Sequence, residues 1–150
     1  MSDLKIELYK QCCDYVQKRM EGAQYAINEA QKASNDDTKS SAGDKYETGR
    51  AMMQQETDRN ILQLNEANKL KVALNNINHS KVSDLIEIGS VVITNLGNFY
   101  MAVSAGVLIV NKEKYFAVST ASPIGLMLKG QKIGKEFMLN GKLYRIKMIV

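Results

Sequence analysis

The stretch Asn35-Asp-Asp-Thr-Lys-Ser-Ser-Ala-Gly43 decides the fold, because it interrupts two long apolar stripes with residues that favour turns and helix caps. Before it, from Asp3 to about Ser34, there is no proline. Tyr9, Cys13, Val16, Met20, Ala23, Ile27 and Ala30 recur there at alternating steps of four and three, a heptad seam. After it, from about Asp44 to Asn78, Met53, Ile61, Leu64, Ala67, Leu70, Leu74 and Ile77 form a second stripe, with Thr57 and Asn60 standing where apolar residues are expected. So short a connection permits only reversal, and the two stripes predict an antiparallel coiled-coil hairpin with arms of roughly 45 Å at about 1.5 Å per residue. Ser41-Ala-Gly-Asp44 has the spacing of a capping box for the returning helix. The far end of the hairpin then carries Asp36, Asp37, Asp44 and Glu47.

Beyond Ser80 the periodicity changes to short β-branched and aliphatic runs: Ser90–Thr94, Phe99–Val103, Val107–Val110, Tyr115–Ser119, Glu136–Leu139 and Lys142–Ile149. Asn95-Leu-Gly97, Asn111-Lys112 and the hairpin signal Asn140-Gly141 separate them. Ser122-Pro-Ile-Gly-Leu-Met-Leu-Lys129 opens with proline and reads as a short helix across the sheet. The fold class expected is α+β: residues 1–79 form the hairpin with its acidic tip, and 80–150 a small antiparallel β domain with one short helix.

Charge follows the same division. Residues 1–79 carry 11 Lys+Arg against 12 Asp+Glu, and 80–150 carry 9 against 4, so the second part suits an acidic protein surface or nucleic-acid phosphates. No run approaches the roughly 20 apolar residues of a membrane helix, and the N-terminus lacks the order of a signal peptide, so a cytoplasmic protein is expected, without membrane association and monomeric. Cys12 and Cys13 are neighbours suited to packing, and His79 is the lone histidine, at an expected helix end. Gly125-Leu-Met-Leu-Lys-Gly130-Gln-Lys132 has P-loop glycine spacing but lacks the lysine and the hydroxyl that phosphate chemistry needs, so the glycines read as turns.

The tip remains. Carboxylate oxygens are natural ligands of Mg²⁺, which keeps much of its water and takes one or two protein carboxylates with substrate phosphates. An isolated tip holds the ion weakly, so chemistry there requires a partner that already holds phosphate and metal. The plain alternative is that Asp44 and Glu47 complement the dipole of the second helix while Asp36 and Asp37 end the first.

Val118-Ser-Thr-Ala-Ser-Pro-Ile-Gly-Leu-Met-Leu-Lys-Gly-Gln-Lys-Ile-Gly-Lys135, with the closing Tyr144-Arg-Ile-Lys-Met-Ile-Val150, resembles the end of the GreA/GreB transcript cleavage factors. The tip matches more loosely, through Asp37-Thr-Lys39, Tyr46 and Arg50. The resemblance implies an FKBP-like C-terminal domain that docks on RNA polymerase, with Ser122, Pro123, Ile124 and Gly125 at the docking part, and a coiled coil that enters the secondary channel. There tip carboxylates share a Mg²⁺ with polymerase and help it cleave backtracked RNA, meeting the RNA 3′ end only indirectly; Asp37 matches the family's position, and Asp44 replaces its missing partner if the longer loop folds back, with Asp36 and Glu47 in reserve. The factor is then no enzyme but a cofactor of the polymerase's own nuclease. This sequence departs from the family's tip: a Glu is expected three residues after the Asp, and Ser40 stands there.

Three functional readings follow. The first is cleavage stimulation, with channel occupancy without cleavage as its close variant. The second is a coiled-coil interaction module whose tip has no metal role. The third, ranked last, is direct nucleic-acid (DNA or RNA) binding by the basic C-terminal part, which a steep salt dependence without polymerase distinguishes.

Overall fold

The computed structural model describes the backbone of residues 2–39, 43–78 and 81–150 and the side chains of 3–33, 49–78 and 81–150. Ser40, Ser41 and His79, and the side chains of Asp36, Asp37, Asp44, Tyr46 and Glu47, lie outside the described residues. The architecture is α+β: two long helices, α1 (Ser2–Lys39) and α2 (Gly43–Asn75), precede a six-stranded sheet with one short helix. The chain divides into two compact units, Val16–Lys71 and a second that joins Met1–Tyr15 to Val72–Val150.

In the first unit α1 buries Val16, Ala23, Ile27 and Ala30, the expected seam, while α2 buries Thr57 and Ala67. Arg19 donates to Gln63 Oε1 at 3.4 Å, an exposed bond between the two helices. Thr57 and Asn60 do stand in the seam, but Ile61 does not: it is 41% exposed. From Met53, the positions Thr57, Asn60, Leu64 and Ala67 alternate steps of four and three, an alternation that Ile61 in place of Asn60 breaks. The first helix also runs further than expected. Asn35-Asp-Asp-Thr-Lys39 continues α1 instead of forming the connection, leaving residues 40–42 between the helices. Each of those polar residues costs only tenths of a kcal/mol in a helix, roughly 0.5, and elongation of an existing helix is cooperative.

In the second unit the strands are β1 (Val91–Thr94), β2 (Asn98–Ala102), β3 (Gly106–Val110), β4 (Glu113–Ser119), β5 (Glu136–Leu139) and β6 (Lys142–Ile149), in sheet order β3-β4-β2-β1-β6-β5. One pairing corrects the antiparallel expectation: β2 and β4 run parallel, with Phe99 beside Phe116 and Met101 beside Val118. The cause is placement. β3 leaves a gap one strand wide beside β2, and the turn at Asn111-Lys112 (φ 53° and 69°) sends β4 back into it. One sheet face packs Val92, Phe99, Met101 and Ile146 against Ile86 and Leu128, and α3 (Pro123–Leu128) covers part of it. Full burial of such a side chain contributes about 2 kcal/mol.

The first turns of α1 belong to this unit. Leu8 and Cys12 are fully buried there and Tyr9 and Cys13 only partly, so the buried stripe of α1 begins one residue earlier than the heptad pattern predicts. Tyr100 of β2 is close enough to Cys12 for the two to influence each other electrostatically. Lys5 Nζ donates to the Lys81 carbonyl at 3.0 Å and Gln11 Nε2 to the Ile109 carbonyl at 3.0 Å.

Asn60 Nδ2 is buried without a hydrogen-bond partner among the described residues. An unpaired buried donor costs about 1–3 kcal/mol, so Asn60→Leu is expected to raise stability by about 1 kcal/mol in urea denaturation. A lowered midpoint shows instead that the amide holds the seam in register.

Candidate functional site

Two regions bear on function, and each is built by helix ends. At the hairpin end, Asp36 and Asp37 fall in the last turn of α1, and Asp44 and Glu47 among the opening residues of α2. The four carboxyl-bearing positions thus lie on the helices that flank residues 40–42. Negative charge is favourable at the start of α2 and unfavourable at the end of α1, where the dipole is negative. Asp36 and Asp37 are therefore at positions that helix stability alone does not select.

The second region is α3. Ser122 caps it with extended backbone (φ −70°, ψ 160°): its Oγ accepts from Gly125 N at 3.1 Å while the hydroxyl donates to the Ser119 carbonyl at 2.7 Å. Pro123 sits at the first helical position, where a missing N–H is no loss. Gly125 is buried because the end of β4 runs against it; a Cβ there overlaps the Ser119 carbonyl oxygen. Ile124 packs on the core. Of the four residues, Ser122, Ile124 and Gly125 are engaged internally, and Pro123 alone is exposed.

The outer surface of α3 is carried by a residue that sequence reading passed over, Leu126, 64% exposed. Nearby in sequence, Ile133 is 61% exposed and lines a groove of about 370 Å³ with Val82, Ser83, Asp84, Lys132 and Ile149. No periodic signal marks Val82 or Ile133, since both lie outside the regular elements.

The remaining titratable cluster, Tyr9, Cys12, Cys13 and Tyr100, is a packing site. Burial pushes the Cys12 thiol up to about 12, with Cys13 adding to the effect, so the thiolate that nucleophilic chemistry needs is scarce at neutral pH. Burial likewise raises the Tyr100 phenol. Among the described residues no group of three or more His, Cys, Asp or Glu could hold a metal ion, and no helix is long and apolar enough to cross a membrane.

No protein-family model matches the chain, and no curated protein sequence does. A solved structure, that of the transcription factor Gfh1, matches over 91% of this chain and 91% of its own at 19% identity and a TM-score of 0.35. So low a TM-score carries no argument about this chain.

The α3 geometry makes a graded prediction. Ser122→Ala is expected to lower stability by about 1 kcal/mol through loss of the cap, and Gly125→Ala by about 3 kcal/mol through the backbone overlap. Urea denaturation of both variants measures the difference; equal small losses contradict the close approach.

Proposed function

We propose that this chain is a Gre-like transcription factor that enters the secondary channel of RNA polymerase and stimulates cleavage of backtracked RNA. The observation that carries the reading is the hairpin end: helices of 38 and 33 residues converge on residues 40–42 with Asp36, Asp37, Asp44 and Glu47 in the flanking turns. The sequence resemblance in Val118–Lys135 and Tyr144–Val150 to the GreA/GreB factors supports it, as does the balance of 9 basic to 4 acidic residues in 80–150, which suits docking on an acidic protein surface.

The donor set at the tip is carboxylate oxygen throughout, which is the chemistry Mg²⁺ prefers. Bound jointly with polymerase, the ion would polarise the scissile phosphate and ease ionisation of the attacking water. Asp37 and Asp44, on opposite helices, supply the oxygens that orient it; Asp36 and Glu47 add negative charge beside them. Holding those groups on rigid helices removes orientational freedom before the reaction, the main thing a factor with no active site of its own can supply. Pro123 and Leu126, exposed around α3, are the docking residues in this reading, and Ser122, Ile124 and Gly125 set the shape of that surface.

One observation favours a second reading, channel occupancy without cleavage. The carboxylate that the family pattern places three residues after Asp37 is absent, Ser40 standing there. The discriminating assay is RNA cleavage in a stalled, backtracked polymerase complex with Mg²⁺. Stimulation by the wild type, reduced at least about tenfold by Asp37→Ala or Asp44→Ala, is the expected result. Binding to polymerase without stimulation selects occupancy, and absence of binding rejects both in favour of a coiled-coil interaction module.

A further inference from the structure

The core face of the sheet carries a row of aromatic rings that crosses four of its strands. Phe116 of β4 lies 5.8 Å from Phe99 of β2, Phe99 lies 6.2 Å from Tyr144 of β6, and Tyr144 stacks on Phe137 of β5 at 5.2 Å with 8° between planes. Phe99, within the row, is buried, whereas Phe116 is 39% exposed and Tyr144 and Phe137 are half-buried against the core. Side chains alternate along a strand, so Lys114 shares the face of Phe116 and Lys142 that of Tyr144. Both lysines are exposed and make no salt bridge among the described residues.

Half of the opposing negative charge is held in ion pairs. Of the four acidic residues in 81–150, Glu87 pairs with Lys81 at 3.3 Å and Glu136 with Arg145 at 2.5 Å, while Glu113 keeps its charge and accepts from the Tyr115 hydroxyl at 3.3 Å, and Asp84 lines the groove with Lys132. The row therefore presents ring surface beside two exposed lysines that make no salt bridge among the described residues, in a part of the chain with 9 basic and 4 acidic residues. An apolar partner accounts for the rings but not the charge, and an acidic protein accounts for the charge but not the rings. A single-stranded nucleic acid accounts for both, through stacked bases and paired phosphates. A duplex does not, because its bases are already stacked inside it.

We propose that this face is a platform for single-stranded RNA, with bases stacking on Phe116, Tyr144 and Phe137 and phosphates drawn to Lys114 and Lys142. The choice of RNA over DNA rests on the function proposed above; the platform itself does not.

The test is fluorescence anisotropy of the full chain with a fluorescein-labelled oligouridylate of about 12 nucleotides, without polymerase. Binding is expected, at least about tenfold tighter than to an RNA duplex of the same length. The plot of log affinity against log salt should fall by about 0.7 per phosphate contacted, and Lys114→Glu with Lys142→Glu should flatten it by about 1.4. Phe116→Ala should weaken binding about tenfold and Phe116→Tyr should restore it, because both aromatic rings stack. Phe116 also packs on Phe99, so melting curves accompany that variant, and the lysine pair, being exposed, tests the platform even where Phe116→Ala unfolds. No binding, equal binding to duplex, or binding indifferent to the lysine pair overturns the platform. Equal binding to oligothymidylate overturns the assignment to RNA. Since polymerase is absent, failure here and failure of the cleavage assay are separate results.

Discussion

The sheet-bearing unit depends on the approach of α3 to the end of β4 at Gly125. Only a residue without a Cβ lets the Ser119 carbonyl come so close, and the Ser122 hydroxyl holds the two segments by bonding to both. From that contact the rest follows. Leu128 is driven into the core beside Ile86, and the chain beyond α3 is tied back by Gly130 N to the Ile86 carbonyl at 2.7 Å and Ile86 N to the Gln131 carbonyl at 3.0 Å. Part of one sheet face is thereby closed, and Ile133 and Val82 line an open groove. Residues that read as a docking motif thus shape a surface more than they form one.

The hairpin obeys a different constraint. Its seam tolerates Thr57 and Asn60 at buried positions, so it gives up some stability where a fully apolar seam was available. Its acidic residues cluster where two helix ends meet, and at the α1 end this opposes the helix dipole. Features that lower stability at one end of a long element agree with a role for that end outside the protein's own fold.

The sequence made local structure legible wherever local chemistry decides it. Asn140-Gly141 turns with φ of 53° and 77°, as the dipeptide predicts, and Ser122-Pro123 starts a helix as expected. It was less informative where neighbours distant in sequence decide. Burial falls on Leu8 and Cys12 where the first turns of α1 join the sheet-bearing unit, and the parallel pairing of β2 with β4 depends on where β3 lands. The aromatic row draws one ring from each of four strands, so no window of sequence contains it. At the tip, helix continuation through Lys39 overrode the turn-forming character of Asn35-Asp-Asp37. The tip carboxylates were legible only as neighbours along the chain, and their side chains lie outside the described residues.

The most direct measurement is site-specific photo-crosslinking from position 38, beside Asp37, in a complex of the full chain with RNA polymerase stalled in a backtracked state. The account predicts cross-links to the polymerase catalytic centre or to the RNA 3′ end. Stable association with polymerase, with cross-links from position 38 only to surfaces remote from that centre, contradicts it.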